Sequence, residues 1–179
     1  MAMPMGVIRI DGPASAVTAA EAKAVKVFAS DDDDAYVSTL LDIAQSAIDG
    51  PNGTLRRAVG LQTLEMTLPA KCEIDTAKLP FPPYVDTISD ELSEDGETRT
   101  FRWRAGYGPA PAKPLPAALR HAIIMMAGVL RDAVPADEGD LKSETIEGVG
   151  RWDYSLPDGA AQSMQKAAES LLSGWQVMS

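Results

Sequence analysis

The chain has 179 residues, of which 45% are hydrophobic and 23% charged, and this composition excludes a disordered chain and indicates a folded domain of medium size. The net charge of −10 disfavours binding to nucleic acid and to anionic membranes, while the single cysteine, Cys72, excludes an intrachain disulfide and a cysteine-based zinc cage. No apolar run approaches the roughly 20 residues of a membrane span, and the first residues lack the basic and apolar regions of a signal peptide, so we expect a protein that is made in the cytoplasm.

The N-terminal part predicts an extended segment followed by a short helix. Residues 1–13 have the pattern of an edge strand or an arm. Thr18 and Glu21 form a capping box, in which each side chain can hydrogen-bond to the backbone N–H of the other residue. A helix is therefore expected from Ala19 to Phe28, with Val25 facing inward.

The run of aspartates from Asp31 to Asp34 has two interpretations. It could bind a cation, although its spacing lacks the alternating ligands, central glycine and distal glutamate of an EF-hand loop. It could instead cap a helix whose first turn favours acidic side chains. We favour the cap, because helical spacing of apolar residues follows up to Asp49, and Gly50 and Pro51 then stop the helix.

Two segments with alternating side chains predict strands. In Leu61 to Leu68 every second residue is apolar, and in Thr98 to Ala105 the aromatics Phe101 and Trp103 alternate with arginines. The acidic turn at Asp95 and Gly96 predicts a hairpin leading into the second of these strands. The middle of the chain therefore predicts a small antiparallel sheet.

A long helix is expected from Pro116 to Val134 after a proline-rich elbow. It is apolar around most of its circumference, so it should be covered on more than one side by a thick core or by another subunit. Ile124 and Gly128 lie within its narrow polar arc, so we expect an Ile124→Asp substitution to damage assembly more than folding.

A last helix is expected from Asp158 to about Trp175, with a narrow apolar seam along one side. Together these elements predict a mainly α (α+β) fold, a bundle of about four helices with a small antiparallel β element and an extended C-terminal segment. We expect a core at 1–134 and a C-terminal extension at 135–179, which contains a segment that docks on a partner and the last helix.

The sequence offers few candidates for chemistry. Arg99, Arg102 and Arg104 alternate with aromatics along 99–107, a pattern that resembles a single-strand nucleic-acid binder and gives the alternative function. A strand with its aromatics in the core and its arginines outside explains the pattern without a ligand, and the acidic net charge favours this explanation. The sequence contains no recognisable nucleophile–base pair and no metal-ligand set. His121 is the only histidine, so any histidine-based catalytic triad would have to include it. We therefore expect no enzyme activity, no catalytic residues, no cofactor and no metal.

The order of several short motifs resembles the head-tail connector, or adaptor, proteins of tailed bacteriophages and of gene transfer agents. These motifs cover most of residues 17–133, and a further segment at 143–155 looks like the tail that follows the helical core in such connectors. They read V-T-x-x-E-A-K from Val17, D-D-D-D from Asp31, Q-T-L-E-M-T-L from Gln62, L-P-x-P-P from Leu79, R-A-G-Y-G from Arg104 and P-x-x-L-R-x-A-I from Pro116.

The resemblance implies a structural protein of a virion-like particle, assembled in the bacterial cytoplasm. Such connectors form a homo-oligomeric ring, implied here to have about twelve copies, between the portal protein and a downstream tail component, a stopper or a tail terminator. DNA passes through the ring without sequence-specific binding, and no membrane is involved.

The resemblance also assigns two sets of contact residues. Its helical core makes the subunit contacts, which places the subunit interface at Ile124, Met125, Arg131, Met164, Leu171 and Trp175. Its C-terminal extension docks on the portal, which places that contact at Ile146, Val149, Arg151, Trp152 and Tyr154.

Overall fold

The structure is a computed structural model that describes residues 5–133, 143–146, 150–153 and 160–176. These form four α-helices, a four-stranded antiparallel sheet and a separate two-stranded hairpin. In chain order the elements are β1 (Met5–Asp11), α1 (Ala19–Ala24), α2 (Asp34–Ile48), β2 (Gln62–Pro69), β3 (Tyr84–Leu92), β4 (Thr98–Ala105), α3 (Ala117–Ala133), β5 (Ser143–Ile146), β6 (Gly150–Asp153) and α4 (Ala160–Ser173).

The main sheet has the strand order β1-β2-β4-β3, with every neighbouring pair antiparallel. Leu64 pairs with Trp103 and Met66 with Phe101, so the apolar residues of β2 and β4 share one face, as their alternation predicts. The hairpin between β3 and β4 turns at Gly96, which has a φ of +70°. Both predicted strands, the hairpin and the edge-strand interpretation of the first residues are confirmed.

The fold is α+β, with 39% of residues in helices and 25% in strands, so the predictions of a mainly α fold and of a helical bundle are wrong. The sheet is a full layer with its own apolar core, formed by one face of β2 and β4 and the loop that covers it; this sheet core contains Ala58, Leu64, Met66, Leu79, Phe101, Trp103 and Ala105. A separate helical core includes Val17, Phe28, Val37, Leu40, Leu41, Ile48, Leu55, Val59, Leu119, Ile123 and Ile124. Because the sheet has an apolar core of its own, it is a structural layer and not an addition to a helical bundle.

The starts of the first two helices follow the predicted caps. Thr18 and Glu21 form the reciprocal capping box of α1, and the Asp33 carboxylate accepts the backbone N–H of Tyr36 at the start of α2. The prediction that α1 continues to Phe28 is wrong, because Lys26 adopts a φ of +60° that ends the helix and leaves Val25 45% exposed.

The other helices extend the helical core. α3 packs against both α2 and α4. The division at residue 134 stays a prediction, and α4, which it assigns to the C-terminal extension, packs on the helix that ends the predicted core. Asp158, the predicted cap of the last helix, lies outside the described residues.

A buried aspartate joins the helical layer to the sheet. Asp49, at the C-terminal end of α2, is fully buried, and both of its carboxylate oxygens are hydrogen-bonded. Oδ1 accepts the N–H of Val59 (2.7 Å) and Nε2 of Gln62 (2.6 Å), and Oδ2 accepts the N–H of Gly60 (2.8 Å) and Nε2 of Gln45 (3.0 Å). We call these five residues the Asp49 hub.

The Asp49 hub also holds the edge strand β1. Nη2 of Arg9 donates to the backbone carbonyl of Asp49 (3.0 Å), and its Nε donates to Oε1 of Gln62 (2.7 Å). Gly50 has a φ of +69°, and a Cβ there would lie 2.2 Å from Arg9 Nη2. The sequence pattern placed a glycine at the end of this helix, and the close approach of Arg9 gives a second reason for it.

Candidate assembly surfaces

The predicted interface residue Ile124 is a core residue of the single chain. Its side chain is 1% exposed and belongs to the helical core, so its placement in a polar arc is wrong. Gly128, assigned to the same arc, is also buried, and a Cβ there would lie 2.7 Å from Cγ1 of Val27. The part of the predicted polar arc at Ile124 and Gly128 is therefore covered within the chain, whereas His121 is exposed.

Arg131 and Met125 lie at the margin of this core. Nη1 of Arg131 donates to the carbonyl of Val27 (2.5 Å), and its guanidinium lies 5.3 Å from the ring centroid of Phe28. Its Nε also donates to the Asp132 carboxylate (2.8 Å). Arg131 thus ties α3 to the segment after α1, while Met125 is half-buried.

The predicted interface residues of α4 form contacts within the chain. Met164 faces Gly128 of α3, and its Sδ would lie 3.7 Å from a Cβ at that position. At the C-terminal end the guanidinium of Arg57 lies 5.7 Å from the Trp175 ring centroid, and Arg57 Nε donates to the Trp175 carbonyl (3.2 Å). Leu171 is half-buried. α4 therefore packs on α3 of the same chain, and Trp175, just after α4, contacts Arg57.

An open apolar groove of about 510 Å³ lies between α2, α3 and α4. Ile43 is 47% exposed at this groove, which is lined mostly by aliphatic side chains. Met126, Val129 and Leu130 line it from α3, and Leu172 lines it from α4. An exposed apolar groove of this kind is a candidate contact surface in an assembly.

The arginines of β4 are held in ion pairs. Arg99 pairs with Asp90, Arg102 with Glu65 and Arg104 with Asp86. The hydrogen bonds from Arg104 hold the pKa of the Asp86 carboxyl below its usual range, and those from Arg99 do the same for the pKa of Asp90. Each cation of this strand therefore already has an anionic partner.

The aromatic residues of the same strand are inaccessible. Phe101 and Trp103 are 3% and 0% exposed, and their rings stack on each other with centroids 5.7 Å apart. A single-strand binder instead presents its aromatic faces to the bases. The geometry thus supports the interpretation of this strand as a structural strand whose aromatic side chains form part of the sheet core.

We expect no measurable binding of single-stranded DNA by this strand, even at low ionic strength. Binding would require breaking three ion pairs and exposing a buried aromatic pair, and the net charge of −10 opposes it. Fluorescence anisotropy with a labelled oligonucleotide measures this directly. Binding that falls steeply with salt and is lost in Arg102→Ala would restore the nucleic-acid hypothesis.

The aspartate run at the start of α2 has structural partners. Asp33 caps the helix, Oδ2 of Asp32 accepts the N–H of Ala29 (2.7 Å), and Asp34 pairs with Lys23 (2.7 Å). Across the described residues, no group of three His, Cys, Asp or Glu side chains is placed to hold a metal ion. Nor is any helix in that part of the chain long and apolar enough to cross a membrane.

Three of the predicted portal-docking residues lie on the separate hairpin. Ile146 pairs with Gly150, and Arg151 with Thr145, in the register of β5 and β6. Trp152 pairs with Glu144 in the same hairpin. Val149 and Tyr154 lie outside the described residues.

Comparison with solved structures gives one informative likeness. The chain is similar to a chain from the virion of a native gene transfer agent particle. The two are 16% identical and superpose with a TM-score of 0.56 over 98% of this chain and 97% of the other. The likeness shows a shared fold along nearly the whole of both chains. No family model and no curated protein matches the sequence.

Proposed function

We propose that this chain is a structural head-tail connector of a phage-like particle such as a gene transfer agent, with no catalytic role. The observation that carries the proposal is the fold that it shares, over nearly its full length, with a chain of a gene transfer agent virion. The connector motifs are a second line of support, because they come from the sequence and not from the fold comparison. Two of them lie on strands of the main sheet: Q-T-L-E-M-T-L forms most of β2, and R-A-G-Y-G begins at the end of β4.

In this proposal the chain forms a homo-oligomeric ring of about twelve copies between the portal and the next tail component. The exposed apolar groove between α2, α3 and α4 supports contacts with other chains. The net charge of −10 and the ion-paired arginines of β4 suit a ring through which DNA slides without being held.

The proposal includes the residues that would contact a neighbouring subunit and the portal. Half-buried Met125 and Leu171 keep some surface for a neighbouring subunit, whereas Ile124 can act only by supporting the fold. The C-terminal extension would dock on the portal through Ile146, Val149, Arg151, Trp152 and Tyr154. Of these, Ile146, Arg151 and Trp152 lie on the hairpin of β5 and β6.

Binding to capsids tests this function. The purified chain is expected to co-sediment with DNA-filled heads that carry the portal, and not with matched shells assembled without it. A double substitution, Arg151→Ala with Trp152→Ala, should reduce co-sedimentation at least tenfold. Substituting His121, which is exposed on α3, by alanine is the matched control and should leave binding unchanged. Equal sedimentation with and without the portal would refute the proposal.

A further inference from the structure

The main sheet ends in two strands that each use only one edge. Among the described residues, β1 pairs only with β2, and β3 pairs only with β4. The sheet is therefore open, and each outer strand presents backbone N–H and C=O groups that no described strand pairs. Such edges are templates for pairing with another chain.

Exposed apolar side chains concentrate on these two strands. Seven large hydrophobic residues of the described chain are strongly exposed, and four of them lie on the edges. Ile8 and Ile10 are 52% and 49% exposed on β1, and Ile88 and Leu92 are 50% and 65% exposed on β3. An isolated exposed isoleucine is ordinary, but apolar residues gathered on both edges of one sheet indicate contact surfaces.

Most charges of the two strands are turned away from the edges. Proteins commonly block edge pairing with lysines, unpaired charges or bulges; neither strand contains a lysine, although each carries two register shifts. The guanidinium of Arg9 is directed to the Asp49 hub, and Asp86 and Asp90 are neutralised by arginines of β4. Three of the five charged side chains of these strands are thus used inside the subunit, while Asp11 and Glu91 are exposed.

The strand directions fit a head-to-tail contact. Because four strands alternate in direction across the sheet, β1 and β3 run in opposite directions. A second copy in the same orientation would therefore place its β1 antiparallel to β3 of the first copy, which is the favourable pairing. We infer that β3 of one subunit pairs with β1 of the next, so that copies of this chain assemble through their sheet edges.

The irregularities of both strands suit a closed assembly. β1 and β3 each carry two register shifts, and bulges bend strands and increase their twist. Successive subunits would thus be rotated relative to one another, and a head-to-tail contact with a closing rotation gives a ring and not a filament. The inference rests on the proposed connector function only for the ring; the edge contact itself does not depend on it.

Crosslinking between singly substituted copies tests the contact. In a Cys72→Ser background, Ile8→Cys and Ile88→Cys proteins are mixed and treated with a short bis-maleimide, which tolerates small differences in register. A covalent dimer should form in the mixture, and each protein alone should give almost none. Val25→Cys replaces Ile88→Cys as the control, since Val25 is 45% exposed and lies on neither edge strand.

The outcomes separate this inference from the proposed function. A dimer specific to the mixture of Ile8→Cys and Ile88→Cys supports edge pairing, and a chain with both substitutions should then give a ladder of larger products. Absence of this dimer, in solution and on portal-bearing heads, overturns the inference. If the chain still binds such heads, the connector function stands without edge pairing; if it does not, both fail.

Discussion

Replacing Asp49 with alanine is expected to lower the free energy of unfolding by roughly 3 to 5 kcal/mol. The substitution removes the carboxylate that accepts the buried N–H groups of Val59 and Gly60, and it removes one of the two acceptors of each amide of Gln45 and Gln62. These donors come from α2, β2 and the segment between them, so their loss loosens the joint between the helical layer and the sheet.

Urea denaturation followed by circular dichroism measures this effect. The matched control is Asp42→Ala on the same helix, where the exposed carboxylate accepts only the Ser15 hydroxyl (2.7 Å). That change should cost less than about 1 kcal/mol. An Asp49→Ala protein within about 1 kcal/mol of wild type would show that the buried network contributes little.

Replacing Ile124 with aspartate should unfold the isolated chain. The side chain is 1% exposed in the helical core, and burying an unpaired carboxylate there adds its desolvation to the lost apolar packing. We expect a cost of at least about 4 kcal/mol, a large part of the stability of a domain of this size. This reverses the sequence-based expectation of an assembly defect in a folded protein.

Ile43→Asp provides the control, since it makes the same chemical change at an isoleucine that is 47% exposed on α2. That variant should keep the wild-type circular dichroism spectrum and cooperative unfolding. Light scattering then separates folding from assembly. A monomeric Ile124→Asp protein with wild-type unfolding would contradict the structure and restore the sequence-based expectation.

Local patterns in the sequence predict most of the individual elements. The capping box of Thr18 and Glu21, the cap at Asp33 and the strand Thr98–Ala105 all depend on residues within a few positions of one another. The hairpin at Gly96 is equally local. Such signals are readable because the hydrogen bonds or side-chain alternation that they report lie in one short segment.

Long-range contacts explain what the sequence does not predict. The polar arc on α3 was inferred from that helix alone, whereas Val27 and Met164 cover Gly128 from distant parts of the chain. The acidic partners of the β4 arginines depend on strand register, and the Asp49 hub joins residues from several elements. The bundle prediction failed for the same reason, because the size of a sheet depends on strand pairing between separate segments.

Electron cryomicroscopy of particles from cells that produce this chain with a small affinity tag tests the connector function most directly. The account predicts a ring of the four-stranded fold directly below the portal, with the tag at that level in every tailed particle. Tailed particles that lack the chain, or that carry it only on the capsid shell or at the distal end of the tail, would contradict it.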